Sequence, residues 1–406
     1  MGNKTASQNN MWLSFCLCYL FFFPSINNSL NEFFQVGLGL SVKFLTPVTY
    51  IFGALIGGLS YFKLRKRSAA LSLLIVCFFA AIAVSYCIYP EIRHLIYGRF
   101  VDLVYNPTNK ILFYCIPAFL LSLSVTDFCN LYKVALFWSR LALIVGVFSY
   151  FYVVLYKYGI MQYMVYSYFM ITSVCACFEN FIQKRKWIDL LLALIGSVSM
   201  FFCGARGAIV ALGMFVILRF FIFYPTKNMQ KKVLLVCMLF VCGILFLVFW
   251  NPILSYATRV CDFFGVDSRF ISRILDGTFF QGSGRKELYA GVLDAIKNKP
   301  WGYGLFGDRY VAGQGEYGKY TYIHNILLEV LCDFGIFGVL IILFAFICFV
   351  RTMAKNQDPY FHSVIWILLP YALFQLIFSS SFLENVLFYA VVGLIYSNRK
   401  MRKQNN

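Results

Sequence analysis

Charge is scarce in this sequence of 406 residues: Asp, Glu, Lys and Arg make up 13% of it, while hydrophobic residues make up 61%. A soluble domain carries roughly a quarter of its residues charged, so a soluble globular protein is excluded. Acidic residues are the scarcer sign, 17 against 35 Lys and Arg, and the resulting formal charge is +18. In a soluble chain that excess would point to nucleic acid. Here the basic residues gather in short runs between apolar stretches, so they read as membrane-topology signals that also attract anionic lipid headgroups, and no nucleic-acid partner is expected. Histidine is rarer still, three in the chain, and no three histidines or thiols stand at ligand spacing. No protein-held metal or other cofactor is therefore expected. None of the 14 cysteines forms a CxxC pair, and nearly all, such as Cys16, Cys18, Cys175 and Cys177, lie within apolar stretches. They read as small buried hydrophobes and not as a disulfide framework. Internal repeats and low-complexity tracts are missing as well.

What is abundant is apolar length. Mean hydropathy is +0.74, and a hydrocarbon core of about 30 Å needs roughly 20 apolar residues per helix. Twelve such spans fit, some of them short: 11–23, 40–62, 69–89, 111–125, 134–156, 160–181, 187–203, 207–224, 233–250, 324–350, 364–379 and 382–396. The chain thus reads as an all-α polytopic membrane protein. The first span ends at Pro24 and has no small-residue cleavage site after a basic region, so it reads as an anchor. With the N-terminus in the cytoplasm, five basic groups fall on the cytoplasmic side: Lys63-Leu64-Arg65-Lys66-Arg67, Lys184-Arg185-Lys186, the group Lys227, Lys231 and Lys232, the pair Arg351 and Lys355, and the tail Arg399-Lys400-Met401-Arg402-Lys403. That is the distribution the positive-inside rule asks for, and it puts the C-terminus in the cytoplasm too. The organisation is nine spans over 1–250, one large extracytoplasmic insertion over 251–321, and three spans with a basic tail over 322–406.

The insertion is where chemistry is expected, because a polar segment of that length between two spans is far longer than a connector. It holds nine Lys and Arg against seven Asp and Glu, too small an excess for a field effect, so individual residues matter. Within it, 285–297 (RKELYAGVLDAIK) has Leu288, Val292 and Ile296 at four-residue spacing and is stopped by Pro300, which predicts an amphipathic helix lying along the membrane surface. The stretch Trp301-Gly302-Tyr303-Gly304-Leu305-Phe306-Gly307 spells GxGxxG, yet no strand precedes it, which argues against a dinucleotide site. Its glycines suit backbone passing close to a substrate or to packed aromatics.

Two arginines stand out by position. Arg206 follows Gly204-Ala205 at the outer end of a span, with glycines on either side leaving backbone amides beside the guanidinium, an arrangement suited to an anion. Arg285 sits in the first turn of its helix, the wrong end for the helix dipole, which predicts an anionic partner. On the tenth span Asn325, Glu329 and Asp333 recur every four residues and form one polar stripe, which must face the protein interior or a wet cavity. His324 stands at the entrance of that span, with an unperturbed pKa near 6.5 that carboxylates such as Glu329 would raise.

These residues carry a resemblance. His324-Asn325 followed by nine residues, Gly335, two residues and Gly338 is similar to the His-Asn and GxxG pattern of the O-antigen ligase and O-antigen polymerase superfamily. Gly204-Ala205-Arg206-Gly207-Ala208 resembles that family's Ser-Arg-Gly segment, with Ala205 in place of its serine. The run from Arg285 through Asn298-Lys299-Pro300-Trp301-Gly302-Tyr303-Gly304 resembles its approach to the histidine. The resemblance implies a fold similar to the C-type glycosyltransferases and an enzyme of the bacterial inner membrane. Such an enzyme transfers a glycan from an undecaprenyl diphosphate carrier to an acceptor hydroxyl at the outer face, without a metal. In that reading His324, Arg206 and Arg285 are catalytic, and Asn325, Glu329, Arg309, Tyr303, Tyr320 and Tyr322 bind substrate. The implied partners are the undecaprenyl-diphosphate-linked oligosaccharide and membrane lipids, with a polysaccharide chain-length regulator as a further candidate. O-antigen polymerase is the first reading and O-antigen ligase the second. A non-enzyme from another class, a lipid-linked glycan flippase or sugar transporter, predicts symmetry between the halves of the chain, which is not found.

Overall fold

A hydrocarbon core leaves no water to satisfy backbone amides, so a chain this apolar has to bond its backbone internally. The structure, a computed structural model, describes residues 2–40, 69–97, 111–156, 163–203, 205–222, 250–264, 285–313 and 322–405, with isolated positions in 48–59 and 230–249 and at 276. Every regular element among the described residues is helical. In chain order they are α1 (Gly2–Glu32), α2 (Ala69–Ile88), α3 (Ile116–Ser124), α4 (Phe128–Tyr150), α5 (Tyr163–Lys184), α6 (Trp187–Cys203), α7 (Arg206–Val216), α8 (Trp250–Phe264), α9 (Arg285–Asn298), α10 (Gly307–Ala312), α11 (Ile326–Lys355), α12 (Pro359–Leu369), α13 (Gln375–Phe378) and α14 (Val386–Asn405).

Among the described residues four helical stretches are long and apolar enough to cross a membrane: Met11–Gly37, Phe128–Val153, Ile326–Lys355 and Pro359–Phe378. Phe79–Ile88, Trp187–Cys203 and Val386–Asn398 are shorter apolar helices. The expected spans at 40–62 and 233–250 lie largely outside the described residues. The first span runs further than the sequence suggested, because α1 continues through Pro24. Ser25 and Ile26 beyond it are buried, and in apolar surroundings breaking the helix would strand more backbone groups than the proline removes.

Two apolar cores hold the bundle. Leu17, Leu20 and Phe22 of α1 pack with Leu131 and Tyr132 of α4, Phe361 and Ile365 of α12, and Leu394 of α14. Met170 and Val174 of α5 pack with Ala193 of α6, Ala208 and Phe215 of α7, and Trp366 of α12. The basic end of α5 and the start of α12 lie together at one end of the bundle. Lys184 lies 5.6 Å from the Tyr132 ring, Tyr132 is 5.7 Å from Tyr360, and Gln183 donates to Ser363 at 3.1 Å. Two ion pairs link the helices, the buried Arg219 with Glu179 at 2.7 Å and the half-buried Arg140 with Asp189 at 2.7 Å. Buried pairs of this kind are better evidence of specified packing than of stability.

The opposite end carries the insertion. The apolar face of α9 is spent on protein, since Leu288 and Val292 pack against Val311 and Ala312 of α10, Ile323 and Cys332. It therefore docks onto the fold and does not present that face to the membrane surface. The segment 300–304 is bonded directly to the backbone of α11: Tyr303 N donates to Cys332 O at 2.9 Å, Gly304 N to Asp333 O at 2.8 Å, and Ile336 N to Pro300 O at 3.2 Å. This is possible because α11 is broken at Gly335, which adopts φ 57° and ψ −142°. A side chain there would overlap the Pro300 carbonyl, and one at Gly302 would meet the Asp333 carbonyl. Gly302 of GxG and Gly335 of GxxG are thus two halves of one backbone contact. Beside it Trp301 stacks on Phe337 at 5.6 Å, both exposed, as aromatic residues at a membrane interface are.

Candidate active site

The last carbonyls of a helix have no partner within it, and at the end of α13 side chains use them. Arg285, projecting from the first turn of α9, donates to Phe378 O at 2.7 Å. Tyr322 donates to Ser379 O at 3.0 Å, and His324 Nδ1 lies 3.5 Å from the same oxygen. Tyr168 of α5 hydrogen-bonds the Ser379 side chain and feels the charge of Arg285. Its hydroxyl also lies against Gly207, whose other neighbour is Phe378, and this brings the start of α7, with Arg206 as its first residue, to the same place. At the cap of α7 stands Ala205, which makes no side-chain bond to the helix amides. Ala205 therefore supplies no capping oxygen to the positive end of that helix dipole.

The histidine is aimed by its neighbour. Asn325 is the N-cap of α11, accepting from Leu327 N at 3.0 Å and Leu328 N at 3.2 Å, and Tyr289 of α9 hydrogen-bonds it as well. His324, one residue earlier, is turned into the left-handed region at φ 61°. That conformation is uncommon for a residue with a side chain and is held here by what surrounds it. The imidazole lies 4.0 Å from the Tyr322 ring, centre to centre. Burial, with Arg285 adding its charge, pulls the His324 pKa down to about 4, and the Ser379 carbonyl opposes this only in part. The direction is opposite to the one expected, because burial disfavours the charged ring and the nearby charge is that of Arg285, while Glu329 pairs with Arg309. Burial likewise raises the Tyr322 phenol to about 12. A carbonyl can only accept, so the contact with Ser379 assigns the proton to Nδ1 and leaves the lone pair on Nε2.

A second group of charges sits deeper. Arg309 pairs with Asp308 at 2.6 Å and with Glu329 at 3.4 Å, and Glu384 lies 4.0 Å away. It also donates to the Ser381 hydroxyl at 3.0 Å. Ser381 in turn bonds Glu329, whose other oxygen accepts from Phe382 N at 3.3 Å. Asp308 N donates to Asp333 at 2.8 Å. Burial raises the Asp308 pKa against the pull of Arg309. The polar stripe of α11 does face the interior, with Glu329 at 0% and Asp333 at 1% exposure.

Of the residues singled out in the sequence, the structure brings Arg285, Tyr322 and His324 to the carbonyls at 378–379, with the helix start at Arg206 beside Phe378 and Asn325 next along the chain from His324. It puts Arg309 and Glu329 in the buried cluster. Tyr303 lies elsewhere: Lys299 sits 4.8 Å from its ring and 4.5 Å from that of Tyr89, and Lys299 also pairs with Glu91. Tyr320 lies outside the described residues. Tyr168, Tyr289 and Ser379 were not anticipated; the run Ser379-Ser380-Ser381 at the end of a span was the signal available. Among the described residues no group of His, Cys, Asp and Glu is placed to hold a metal ion.

The family model described as O-antigen ligase (Wzy_C) matches residues 191–343. No curated protein and no solved structure matches the chain. The matched segment supplies Arg206, Arg285 and His324, whereas Tyr168 and the Phe378 and Ser379 carbonyls come from outside it. The match over residues 191–343 supports the resemblance to the O-antigen ligase and O-antigen polymerase superfamily.

Proposed function

We propose that this protein is a glycosyltransferase of the outer face of the bacterial inner membrane, which moves a glycan from undecaprenyl diphosphate to an acceptor hydroxyl. The observation that carries the reading is the convergence of two arginines and one neutral imidazole at the end of α13. The donor diphosphate lies at the uncapped start of α7 between Arg206 and Arg285, where charge-assisted hydrogen bonds contribute about 1.5–3 kcal/mol each. The acceptor oxygen bonds to the anomeric carbon on the face opposite the diphosphate, while the bond from that carbon to the diphosphate oxygen breaks. The electron pair leaves with the diphosphate, the hydroxyl proton passes to His324 Nε2, and the configuration inverts. Developing negative charge on the leaving oxygen is what the guanidiniums stabilise, so their contribution grows toward the transition state.

Polymerisation of lipid-linked repeat units is the first reading, and ligation to lipid A-core is the second; the matched family is described as O-antigen ligase. A gel of lipopolysaccharide from a strain lacking the protein separates them. Core bearing a single repeat unit is expected for a polymerase. Unsubstituted core, with lipid-linked polymer accumulating, identifies a ligase, and an unchanged ladder would contradict both.

A further inference from the structure

Arg309 is nine-tenths buried and reaches from α10 to the first turn of α11 and to the loop after α13. Its guanidinium lies 6.0 Å from the Tyr322 ring, and that ring lies 4.0 Å from the ring of His324. Paired with its neighbour Asp308 on α10, it holds the first turn of α11 through Glu329 and the loop that carries the Ser379 carbonyl through Ser381. Glu329 closes the circuit on the same loop through Ser381 and Phe382 N. A phosphate could reach this guanidinium only by displacing carboxylates from a site closed to water, which removes it from the anion-binding set.

We propose that Arg309 and Glu329 are positioning residues, a buried clasp that sets the loop at 379–382 and the Tyr322 ring so that His324 is kept dry and facing the reaction. The proposal rests on the functional reading only for what the histidine does; the clasp itself is read from geometry. The groups facing the His324 ring are Arg285 from α9, Tyr322 from its own segment and Ser379 from the loop, with Tyr168 and Tyr289 behind them. If the clasp opens, the loop carrying Ser379 loosens, water reaches the ring, and the imidazole returns toward its ordinary pKa.

The test is the pH dependence of His324 carbethoxylation in full-length protein whose other histidines are replaced (His94→Gln, His362→Gln), since only the neutral ring reacts. In this parent the midpoint is expected at about 4. Glu329→Gln keeps the shape but presents an amide hydrogen to Phe382 N or to Ser381 and Arg309. It is expected to move the midpoint up by about one pH unit or more toward 6.5 and to lower transfer about tenfold. Glu179→Gln breaks an equally buried arginine pair at the basic end and is expected to leave the midpoint where it was. Should Glu329→Gln fail to fold, Ser381→Ala, which removes one hydroxyl, takes its place with the same expectation. A midpoint still at the parent's value in the folded clasp variant would overturn the proposal, as would an equal shift in Glu179→Gln. If the parent itself transfers no glycan, the functional reading fails while the titration still decides the clasp.

Discussion

Replacing His324 by alanine is expected to lower glycan transfer by roughly 10²–10⁴-fold, the usual contribution of a positioned general base. The protein should still insert and still bind lipid-linked glycan, because its fold rests on the two apolar cores and anion binding rests on the arginines. The ring's environment also sets a pH dependence. Its folded pKa of about 4 lies below the ordinary 6.5, because burial and the Arg285 charge both disfavour the imidazolium. The neutral, base-competent form is therefore present from pH 8 down to about 5, and transfer should hold over that range and fall by half near 4. An acid limb near 6.5 would mean that the ring is hydrated and the pocket open. His324→Gln keeps hydrogen bonding but gives up titration. Substantial activity in that variant, with no acid limb, would assign the residue to orientation; equal activity in the alanine and glutamine variants would remove it from the reaction.

Arg206→Lys and Arg285→Lys are each expected to lose roughly 10–100-fold in transfer although charge is kept. A guanidinium grips two diphosphate oxygens with a planar fork, while an ammonium is a point charge that holds one geometry poorly. Arg285 gives a sharper version of the test, since one of its N–H groups is already committed to Phe378 O at 2.7 Å. A lysine must choose between that carbonyl and the substrate. It nevertheless keeps a positive charge beside His324, so the acid limb should stay near 4 in Arg285→Lys and move upward in Arg285→Gln. Near-normal transfer in both lysine variants would show that the arginines only snorkel at the membrane surface.

How far the sequence could be read depended on whether a role left a mark on a side chain. His324, Asn325 and the GxxG glycines were legible through the resemblance to a family's motif, and the structure uses them as a left-handed turn, a helix cap and a helix break; the inward stripe Asn325, Glu329, Asp333 followed from helical spacing. The platform at 378–379 was not legible, since it consists largely of backbone carbonyls and any residue supplies one. Tyr168 was hidden for another reason: it sits in an apolar span among other tyrosines and owes its role to a neighbour on α13. The pairing of Arg309 was not legible because its partners Glu329 and Ser381 are 20 and 72 residues away, distances across which sequence carries no pairing signal. The same limit reversed the expected His324 shift, for Glu329 is close in sequence but faces Arg309.

The central claim is that glycan is transferred from a lipid diphosphate at this site, and purified protein in liposomes loaded with undecaprenyl-diphosphate-linked repeat units tests it most directly. With a chelator present, the account predicts that donor is converted to longer lipid-linked glycan, or to glycan on added lipid A-core, with release of undecaprenyl diphosphate, inversion at the anomeric carbon, and loss of the reaction in His324→Ala. Donor that crosses the bilayer chemically intact, with no undecaprenyl diphosphate released, would contradict it and make the protein a transporter.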